Sequence, residues 1–284
     1  MSKLEQQVTA GQFAVTAEIA PPKGVDTAEV LEKARLMAHL SAVNVTDNQG
    51  ANMRMTPLAM AALLCAEGIE PILQLTCRDR NRMALQSDLL GAAALGVENV
   101  LLLSGDHARF GDHPQARSVF DLDSIQLLEA TGGLIAGRDM TGKPLQGAPR
   151  FFVGAAVTPE AEPFELMFQK FSKKVQAGTR FFQTQAVYDP EKLEQFMAVA
   201  NPLGVPVLLG VLLLKSVRMA EFLNRNIPGV RVPQTLIDRL AAADSPLEEG
   251  IRIAREMVDH ARRLCQGVHL MTLGHEERIA DILS

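Results

Sequence analysis

The sequence predicts a single-domain α/β fold over residues 1–284, a closed (β/α)8 TIM barrel, and three observations support it. Short apolar runs alternate about eight times with amphipathic stretches, and repeated βα units indicate a parallel sheet. No linker or change in composition interrupts them. Their number suits one barrel of roughly 250 residues. An open doubly wound sheet is the main alternative, but it usually has a glycine-rich first βα turn, and here that turn is Ala20-Pro-Pro-Lys-Gly24.

The predicted strands are short, and each is bounded by glycine, proline or polar residues. They cover residues 13–19, 42–46, 72–76, 99–103, 151–157, 179–185, 207–212 and 268–271. Stretches with an apolar period near 3.6 predict helices between them. These helices cover residues 28–39, 81–95, 123–130, 163–176, 190–200, 216–224 and 247–265, and a further helix begins at Pro57 behind Thr56 as its cap. Segment 132–149 has no clear period and is predicted to form a hairpin or loop.

The overall composition is that of an ordinary globular protein, with 47% hydrophobic and 21% charged residues. The net charge of −5 and the lack of a basic stripe argue against extended nucleic-acid binding. The longest apolar stretch, 205–214, is too short to span a bilayer. Residues 1–11 lack the apolar core of a signal peptide. We therefore expect a cytoplasmic protein with neither membrane nor nucleic acid as a partner.

Glu18 is the most informative residue of the sequence. It is the one ionisable group in the first predicted strand, and Pro21-Pro22 follows closely. A carboxylate inside a buried strand is costly unless it is paired, and burial raises its pKa. A carboxyl group that holds a proton near neutral pH suits a general acid. The alternative is a structural glutamate bound to a neighbouring backbone group.

Polar residues recur where the predicted strands end. They are Glu18, Thr46, Asp47, Asn48, Gln49, Gln74, Thr76, Ser104, Gly105, Asp106, His107, Thr158, Gln183, Gln185, Lys215, Ser216 and Thr272. In a barrel they would all face the carboxyl ends of the strands, where barrel enzymes carry their active sites. Loops are polar in any case, which accounts for about half of these residues. The general polarity of loops accounts less well for Glu18, Gln74 and Gln185, because these residues lie within the predicted strands.

Asp106 follows the apolar run Leu101-Leu102-Leu103 and the dipeptide Ser104-Gly105. Glycine allows a ligand to approach the backbone closely. Asp106 could then accept hydrogen bonds from a planar N–H donor, such as a pterin amide and amine.

Two other motifs lack the context that their chemistry requires. Gly-Asp-His occurs at 105–107 and again at 111–113, but the intervening residues do not resemble a metal-ligand spacing, so no metal site is predicted. Residues 137–143 match most of a phosphate-binding loop, yet Pro144 replaces the Ser or Thr that would hold Mg²⁺.

Taken together and in order, the strand-end motifs resemble the methylenetetrahydrofolate reductase family along nearly the whole chain. The motifs are Thr16-Ala-Glu18-Ile-Ala-Pro-Pro22, Val43-Asn-Val-Thr46-Asp47, Leu73-Gln-Leu-Thr76-Cys77, Leu103-Ser-Gly105-Asp106, Phe152-Val-Gly-Ala-Ala156-Val-Thr-Pro-Glu160, Lys174-Val-Gln-Ala-Gly178, Gln183-Thr-Gln185 and Gly267-Val-His-Leu-Met-Thr272. The resemblance implies a flavin-carrying (β/α)8 barrel that reduces 5,10-methylenetetrahydrofolate to 5-methyltetrahydrofolate, with hydride delivered from flavin N5.

The resemblance also implies roles for individual residues. Glu18 would be the general acid that opens the five-membered ring to the 5-iminium ion, and Asp106 would bind the pterin near the flavin. Gln185, with Gln183 beside it, would bind folate. The flavin-lining positions would be Thr46, Gln74, Ser104, Gly105, Ala156 and Lys174.

Several positions depart from the pattern of the family. Gln74 replaces a histidine, and Ser104 replaces an arginine, which leaves FMN as the alternative to the favoured FAD. Thr158, Glu162, Met167 and Lys170 also differ from the residues that usually contact the cofactor. Val217 stands where many members have a phenylalanine that stacks on nicotinamide and folate.

The electron donor is therefore expected to be either NAD(P)H or a partner protein, as in the divergent branch of anaerobic one-carbon pathways, and an oligomer or complex is expected. Two other hypotheses stay open. One is a folate-binding flavoprotein subunit that is active only with an electron-transfer partner, and the other is a flavin-free barrel enzyme.

Overall fold

The structure is a computed structural model that describes all residues from Met1 to Ser284. Eight strands pair in chain order and close into a barrel, because the last strand pairs in parallel with the first. The strands β1 to β8 are Ala14–Ile19, Ala42–Val45, Pro71–Thr76, Asn99–Leu103, Phe152–Val157, Phe181–Ala186, Val207–Leu212 and Gly267–Met271. The predicted (β/α)8 fold class is confirmed, and all eight predicted strands are present.

Eleven α-helices accompany these strands. Helices α1 to α11 are Lys3–Thr9, Ala28–Leu36, Pro57–Ala66, Arg82–Ala94, Ser124–Ile135, Phe164–Gln176, Pro190–Ala200, Val217–Asn226, Gln234–Ala242, Pro246–Leu264 and Ile279–Leu283. Sequence analysis did not predict α1, α9 and α11. Each has nine residues or fewer, so each offers only a short stretch in which an apolar period can be recognised.

Side-chain caps explain where several of the predicted helices begin. Asn81 accepts hydrogen bonds from two backbone N–H groups in the first turn of α4. Asp123 forms a reciprocal capping box with Gln126 at the start of α5. Asp189 caps α7 in the same way as Asn81 caps α4, directly before Pro190. Thr56 precedes α3 as predicted, but its side chain makes no capping hydrogen bond.

The segment after α5 differs in part from its prediction. The helix continues through Gly132 and Gly133 to Ile135, because its buried face, which includes Thr131 and Leu134, offsets the low helix propensity of glycine. Beyond the helix, residues 138 and 144 form an antiparallel bridge. The predicted hairpin is therefore confined to the second half of the segment.

Contacts divide the chain into two compact units. Unit 1 comprises Met1–Gln6, Glu18–Ala155 and Lys173–Arg180, and unit 2 comprises Gln7–Ala17, Ala156–Ser172 and Phe181–Ser284. The single-domain boundary at 1–284 stays a prediction. No helix of the protein is both long enough and apolar enough to cross a bilayer.

Aromatic packing in unit 2 joins two helices to one strand. The rings of Phe171 on α6 and Phe182 on β6 lie 4.3 Å apart between centroids, and Phe196 on α7 meets Phe171 edge-on at 5.4 Å. All three side chains are fully buried. Burying each ring stabilises the fold by about 1.5–3 kcal/mol, so these residues fix the helices against the strand that carries Gln183 and Gln185.

Candidate functional site

Unit 1 gathers polar and charged side chains where β1, β2, β3 and β4 end. Parallel strand pairing places Thr76, the last residue of β3, beside Leu103, the last residue of β4. At the other side, the backbone N–H of Thr46 donates to the carbonyl of Ile19 at 3.1 Å, which joins the ends of β1 and β2. Residues that follow these strands are thereby held close together at one edge, as the sequence predicted.

Glu18 lies next to the last residue of β1 and is half-buried. Its Oε1 accepts a hydrogen bond of 3.0 Å from Nε2 of Gln49. The prediction that Glu18 is buried was too strong, because its side chain is only half-buried beside the last residue of the strand. The role of Glu18 as a general acid stays a sequence-based prediction.

Asp47 anchors the ends of β2 and β3 to each other. Its fully buried carboxylate accepts hydrogen bonds of 2.8 Å from both the backbone N–H and the hydroxyl of Thr76. Arg80 adds an ion pair of 2.7 Å and continues to Asp88, also at 2.7 Å. A buried carboxylate needs such partners, so Asp47 has a structural role here.

Arg78 is the most deeply buried of the neighbouring cations, with 3% of its side chain exposed. It forms a two-pronged ion pair with Asp79, at 2.9 and 2.7 Å. Burial by itself would lower the pKa of Arg78, but the hydrogen bond and charge of Asp79, with Asp47 and Asp106 nearby, raise it overall. Burial by itself would raise the pKa of Asp79, but hydrogen bonds from Arg78 and Asn48 lower it overall.

Gly105 and Asp106 lie two and three residues after the end of β4, and Asp106 is exposed. Gly105 has φ +84°, and a Cβ there would come within 2.9 Å of the Thr76 side chain. The close packing on Thr76 and the left-handed backbone therefore both require glycine at this position. The carbonyl of Asp106 accepts a hydrogen bond of 3.4 Å from Nη1 of Arg78, and its carboxylate is left at the surface of the site.

Thr46 carries the clearest mark of a ligand position. Only 1% of this residue is exposed, yet its hydroxyl oxygen has no hydrogen-bond partner within the protein. Buried polar atoms are nearly always paired, and an unpaired one costs about 1–3 kcal/mol. This orphaned hydroxyl fits a bound polar group, such as the heteroatoms of a flavin ring.

The other predicted flavin positions of unit 1 are placed as follows. Gln74 lies inside β3 and is half-buried, and Ser104 directly follows β4 and is exposed. Lys174 lies in the last turn of α6 and is half-buried. Strand pairing places Leu73 beside Val45, so Gln74 lies on the strand next to the one that Thr46 follows. A flavin contact for Gln74, Ser104 or Lys174 stays a sequence-based prediction.

Unit 2 contains a buried polar network within its strands. The hydroxyl of Thr16 on β1 lies 3.1 Å from Nδ1 of His269 on β8 and 3.3 Å from the carbonyl of Val268. Nε2 of Gln183 on β6 donates to the same hydroxyl at 3.3 Å. The three side chains are 0–4% exposed. Gln183, predicted to bind substrate, therefore takes part in an internal network.

The remaining predicted residues of unit 2 lie at the ends of their strands. Gln185 is exposed near the end of β6, as a substrate-binding residue requires. Ala156 is half-buried near the end of β5. Sequence reasoning did not assign a role to Arg78 or His269. The sequence did contain a pattern that could have indicated Arg78, because the charged run Arg78-Asp79-Arg80 closely follows a predicted buried strand.

Comparison with known proteins identifies the family. The sequence profile of the family described as "Methylenetetrahydrofolate reductase" matches residues 3–284. The chain belongs to the methylenetetrahydrofolate reductase family. It is 26% identical over 310 residues to methylenetetrahydrofolate reductase (NADH) 1 of Arabidopsis thaliana, covering all of this chain and 50% of that protein. It is 22% identical over 233 residues to a probable methylenetetrahydrofolate reductase (NADPH) of Caenorhabditis elegans, covering 78% of this chain and 33% of that protein.

The chain thus spans about half the length of the Arabidopsis relative and about a third of the length of the Caenorhabditis relative. Among solved structures, an uncharacterized protein from Clostridium thermocellum, described as binding two copies of 5-methyl-5,6,7,8-tetrahydrofolic acid, aligns with a TM-score of 0.63. That alignment covers 98% of this chain and 96% of the other at 15% identity. 2,3-Dimethylmalate lyase aligns with a TM-score of 0.53 at 11% identity, covering 99% and 84%. At these identities the likeness supports the fold alone.

Proposed function

We propose that the protein reduces 5,10-methylenetetrahydrofolate to 5-methyltetrahydrofolate with a bound flavin. The observation that carries this proposal is Glu18 at the end of β1, held by Gln49, in a chain whose family match runs from residue 3 to residue 284. The solved neighbour that is described as binding 5-methyltetrahydrofolic acid supports the same ligand class.

Glu18 would act as the general acid. Opening the five-membered ring of the substrate requires a proton on the departing amine nitrogen, and a half-buried carboxyl group can provide it. The amide of Gln49 would hold the carboxyl group in place through its hydrogen bond to Oε1. Asp106, exposed at the end of β4, would accept hydrogen bonds from the pterin amide and amine and so orient the ring.

Thr46, Gln74, Ser104 and Gly105 would hold the flavin in unit 1, with Ala156 and Lys174 as further cofactor contacts. A bound flavin supplies the hydride that reduces the iminium carbon. The orphaned hydroxyl of Thr46 would gain a polar partner from that ring. FAD is favoured, and FMN is the alternative because polar residues that usually hold the dinucleotide tail are replaced by Met167 and Lys170.

Gln185 would bind folate, since its side chain is exposed near the end of β6. Gln183 would support that strand from within, through Thr16.

A second function, a reductase subunit that receives electrons only from a partner protein, is favoured by Val217. This residue packs against a buried hydrophobic cluster of unit 2, so it presents no aromatic surface for nicotinamide to stack on.

The test begins with the visible spectrum of the purified chain, which should show flavin absorption. Turnover of 5,10-methylenetetrahydrofolate is then measured with NADH, with NADPH and with a reduced viologen dye. Efficient turnover with a nicotinamide supports direct reduction, whereas turnover with the dye alone supports the partner-dependent subunit. A colourless protein that does not turn over the substrate even after incubation with FAD or FMN contradicts both.

A further inference from the structure

The guanidinium group of Arg78 reaches the ends of three neighbouring strands of unit 1. Arg78 itself follows β3. Its Nη2 donates to the carbonyl of Asp47, which follows β2, and its Nη1 donates to the carbonyl of Asp106, which follows β4, both at 3.4 Å. Nε and Nη2 also donate to the carboxylate of Asp79. Only a planar group with several fixed donors can make all of these contacts at once.

One branch of these contacts leads directly to Asp106. The Arg78 donor holds the backbone carbonyl of Asp106, and the Cβ of Arg78 lies 3.2 Å from the position that a side chain on Gly105 would occupy. The backbone on either side of the Gly105–Asp106 peptide is therefore fixed against Arg78. Since Asp106 is exposed, this backbone contact restrains the direction in which its carboxylate points.

The other branch leads to Glu18. Asp79, which is paired with Arg78, accepts a hydrogen bond of 3.2 Å from Nδ2 of Asn48. Asn48 has a left-handed backbone, with φ 45°, and its side-chain oxygen also accepts the N–H of Arg54 at 2.9 Å. The residue that follows it, Gln49, donates to Glu18. A strained turn that side chains hold in place is common beside functional groups.

We propose that Arg78 is a positioning residue that sets the geometry of both Asp106 and Glu18. The proposal rests on the proposed function, because it assigns Arg78 to the two carboxyl groups of that reaction. Arg78 touches neither carboxylate. It acts through the carbonyl of Asp106 on one side and through Asp79, Asn48 and Gln49 on the other.

A purely structural role would give a different outcome. Arg82, the first residue of α4, provides the comparison, because it also forms a two-pronged pair, with Asp121 at 2.9 and 3.0 Å. It is about half-exposed, and no contact links it to Asp106 or Asn48. The change Arg82→Lys is therefore the matched control for Arg78→Lys. Each substitution keeps the charge and removes the planar fork.

The test compares these variants with the wild-type chain by two measurements. Affinity for 5-methyltetrahydrofolate is measured by equilibrium dialysis, and kcat and KM are measured with the most effective donor found for the wild type. Misplacement of a reacting group by about 1 Å costs roughly 100-fold, so we expect Arg78→Lys to lower kcat about 10- to 100-fold and to weaken folate binding several-fold. Arg82→Lys should match the wild type in both.

The outcomes separate the inference from the function on which it rests. If the wild type binds and turns over the folate but Arg78→Lys does so equally well, Arg78 has no positioning role. If the wild type shows no turnover with any donor, the proposed function itself fails.

A second variant covers the case in which Arg78→Lys does not fold. Asp79→Asn keeps the size of the side chain and leaves Arg78 bound to the Asp47 and Asp106 carbonyls, but it weakens the link to Asn48. We expect a smaller loss of kcat, about 3- to 10-fold, with folate affinity retained, because Asp106 stays in place while Glu18 loses its support. Unchanged kcat in this variant contradicts the Glu18 branch.

Discussion

Two buried threonines, Thr16 within β1 and Thr46 directly after β2, show how differently the two units use buried polar groups. Thr16 in unit 2 and Thr46 in unit 1 are both almost fully buried. The hydroxyl of Thr16 is surrounded by partners on His269, Gln183 and Val268, whereas the hydroxyl of Thr46 has none within the protein. The hydroxyl of Thr16 is therefore satisfied within the protein. The hydroxyl of Thr46 is not, which is the pattern we expect of a position that contacts a ligand.

The groups that hold the two regions also differ. The hydroxyl of Thr16 meets a ring nitrogen, a side-chain amide and a backbone carbonyl. The strand ends of unit 1 instead hold Asp47, Arg78, Asp79 and Arg80, each paired with an opposite charge. Ion pairs of this kind contribute little to stability when compared with apolar packing, but they hold backbone and side chains in fixed directions. We therefore expect changes in unit 1 to alter activity more than stability, and changes at Thr16 to do the reverse.

The largest expected effect is a loss of kcat on replacement of Glu18, which belongs to unit 1. Replacing a general acid by its amide removes the proton it would donate, so Glu18→Gln should lower kcat by roughly 100- to 10,000-fold with the flavin still bound. Glu29→Gln is the control, because Glu29 is an exposed glutamate paired with Lys33 on α2. Steady-state kinetics and the flavin spectrum provide the measurements. Turnover close to that of the wild type would remove Glu18 from the mechanism.

The next largest expected effect is a loss of stability on replacement of Thr16, which belongs to unit 2. Thr16→Val keeps the shape of the side chain but leaves Gln183 and His269 without this hydroxyl, and buried polar groups that lose a partner cost about 1–3 kcal/mol. We expect the free energy of unfolding, measured in urea, to fall by that amount. Thr235→Val, at an exposed position on α9, should change it by less than about 0.5 kcal/mol. Equal effects in the two variants would show that the Thr16 network is not stabilising.

The same substitution at Thr46 should act in the opposite way. Because the hydroxyl of Thr46 has no partner, Thr46→Val should leave the unfolding free energy of the flavin-free protein unchanged or slightly higher. Flavin affinity, measured by fluorescence titration, should weaken about 3- to 10-fold, the value of one hydrogen bond. A loss of stability like that of Thr16→Val, with unaltered flavin affinity, would remove Thr46 from the cofactor site.

Sequence reasoning succeeded where the signal was local. Each strand was an apolar run between turn residues, so the eight strands and the closed barrel could be predicted, and the strand-end position of Asp106 followed from them. Burial of individual polar residues was less predictable. Glu18 lies at the end of its strand and Gln183 within its strand, and only strand register and packing reveal that the first is half-buried and the second is bonded to Thr16.

Contacts between residues far apart in the sequence were the hardest to foresee. Arg78 meets Asp106 across 28 positions, and nothing near Arg78 in the sequence indicates that partner. The same holds for Thr16 and His269, which are 253 positions apart. Such pairs depend on which strands become neighbours, so they emerge from the fold and not from local pattern.

The smallest expected effect tests whether the charged pairs of unit 1 contribute to stability at all. The pKa of Asp79 is lower in the folded protein than its ordinary value of 3.8, so the ionised form favours folding. Its contribution is present above about pH 4 and is lost as the pH falls through the lowered pKa. Because about a third of the side chain is exposed, we expect Asp79→Asn to cost less than about 1 kcal/mol at pH 7. Urea unfolding of the wild type and of Asp79→Asn between pH 3 and pH 7 should show that the difference in unfolding free energy shrinks towards acid pH.

A difference that stays constant over this range, or grows towards acid pH, would mean that the Arg78–Asp79 charge pair does not stabilise the fold. The contrast between the two units would then rest on Thr16 and Thr46 alone.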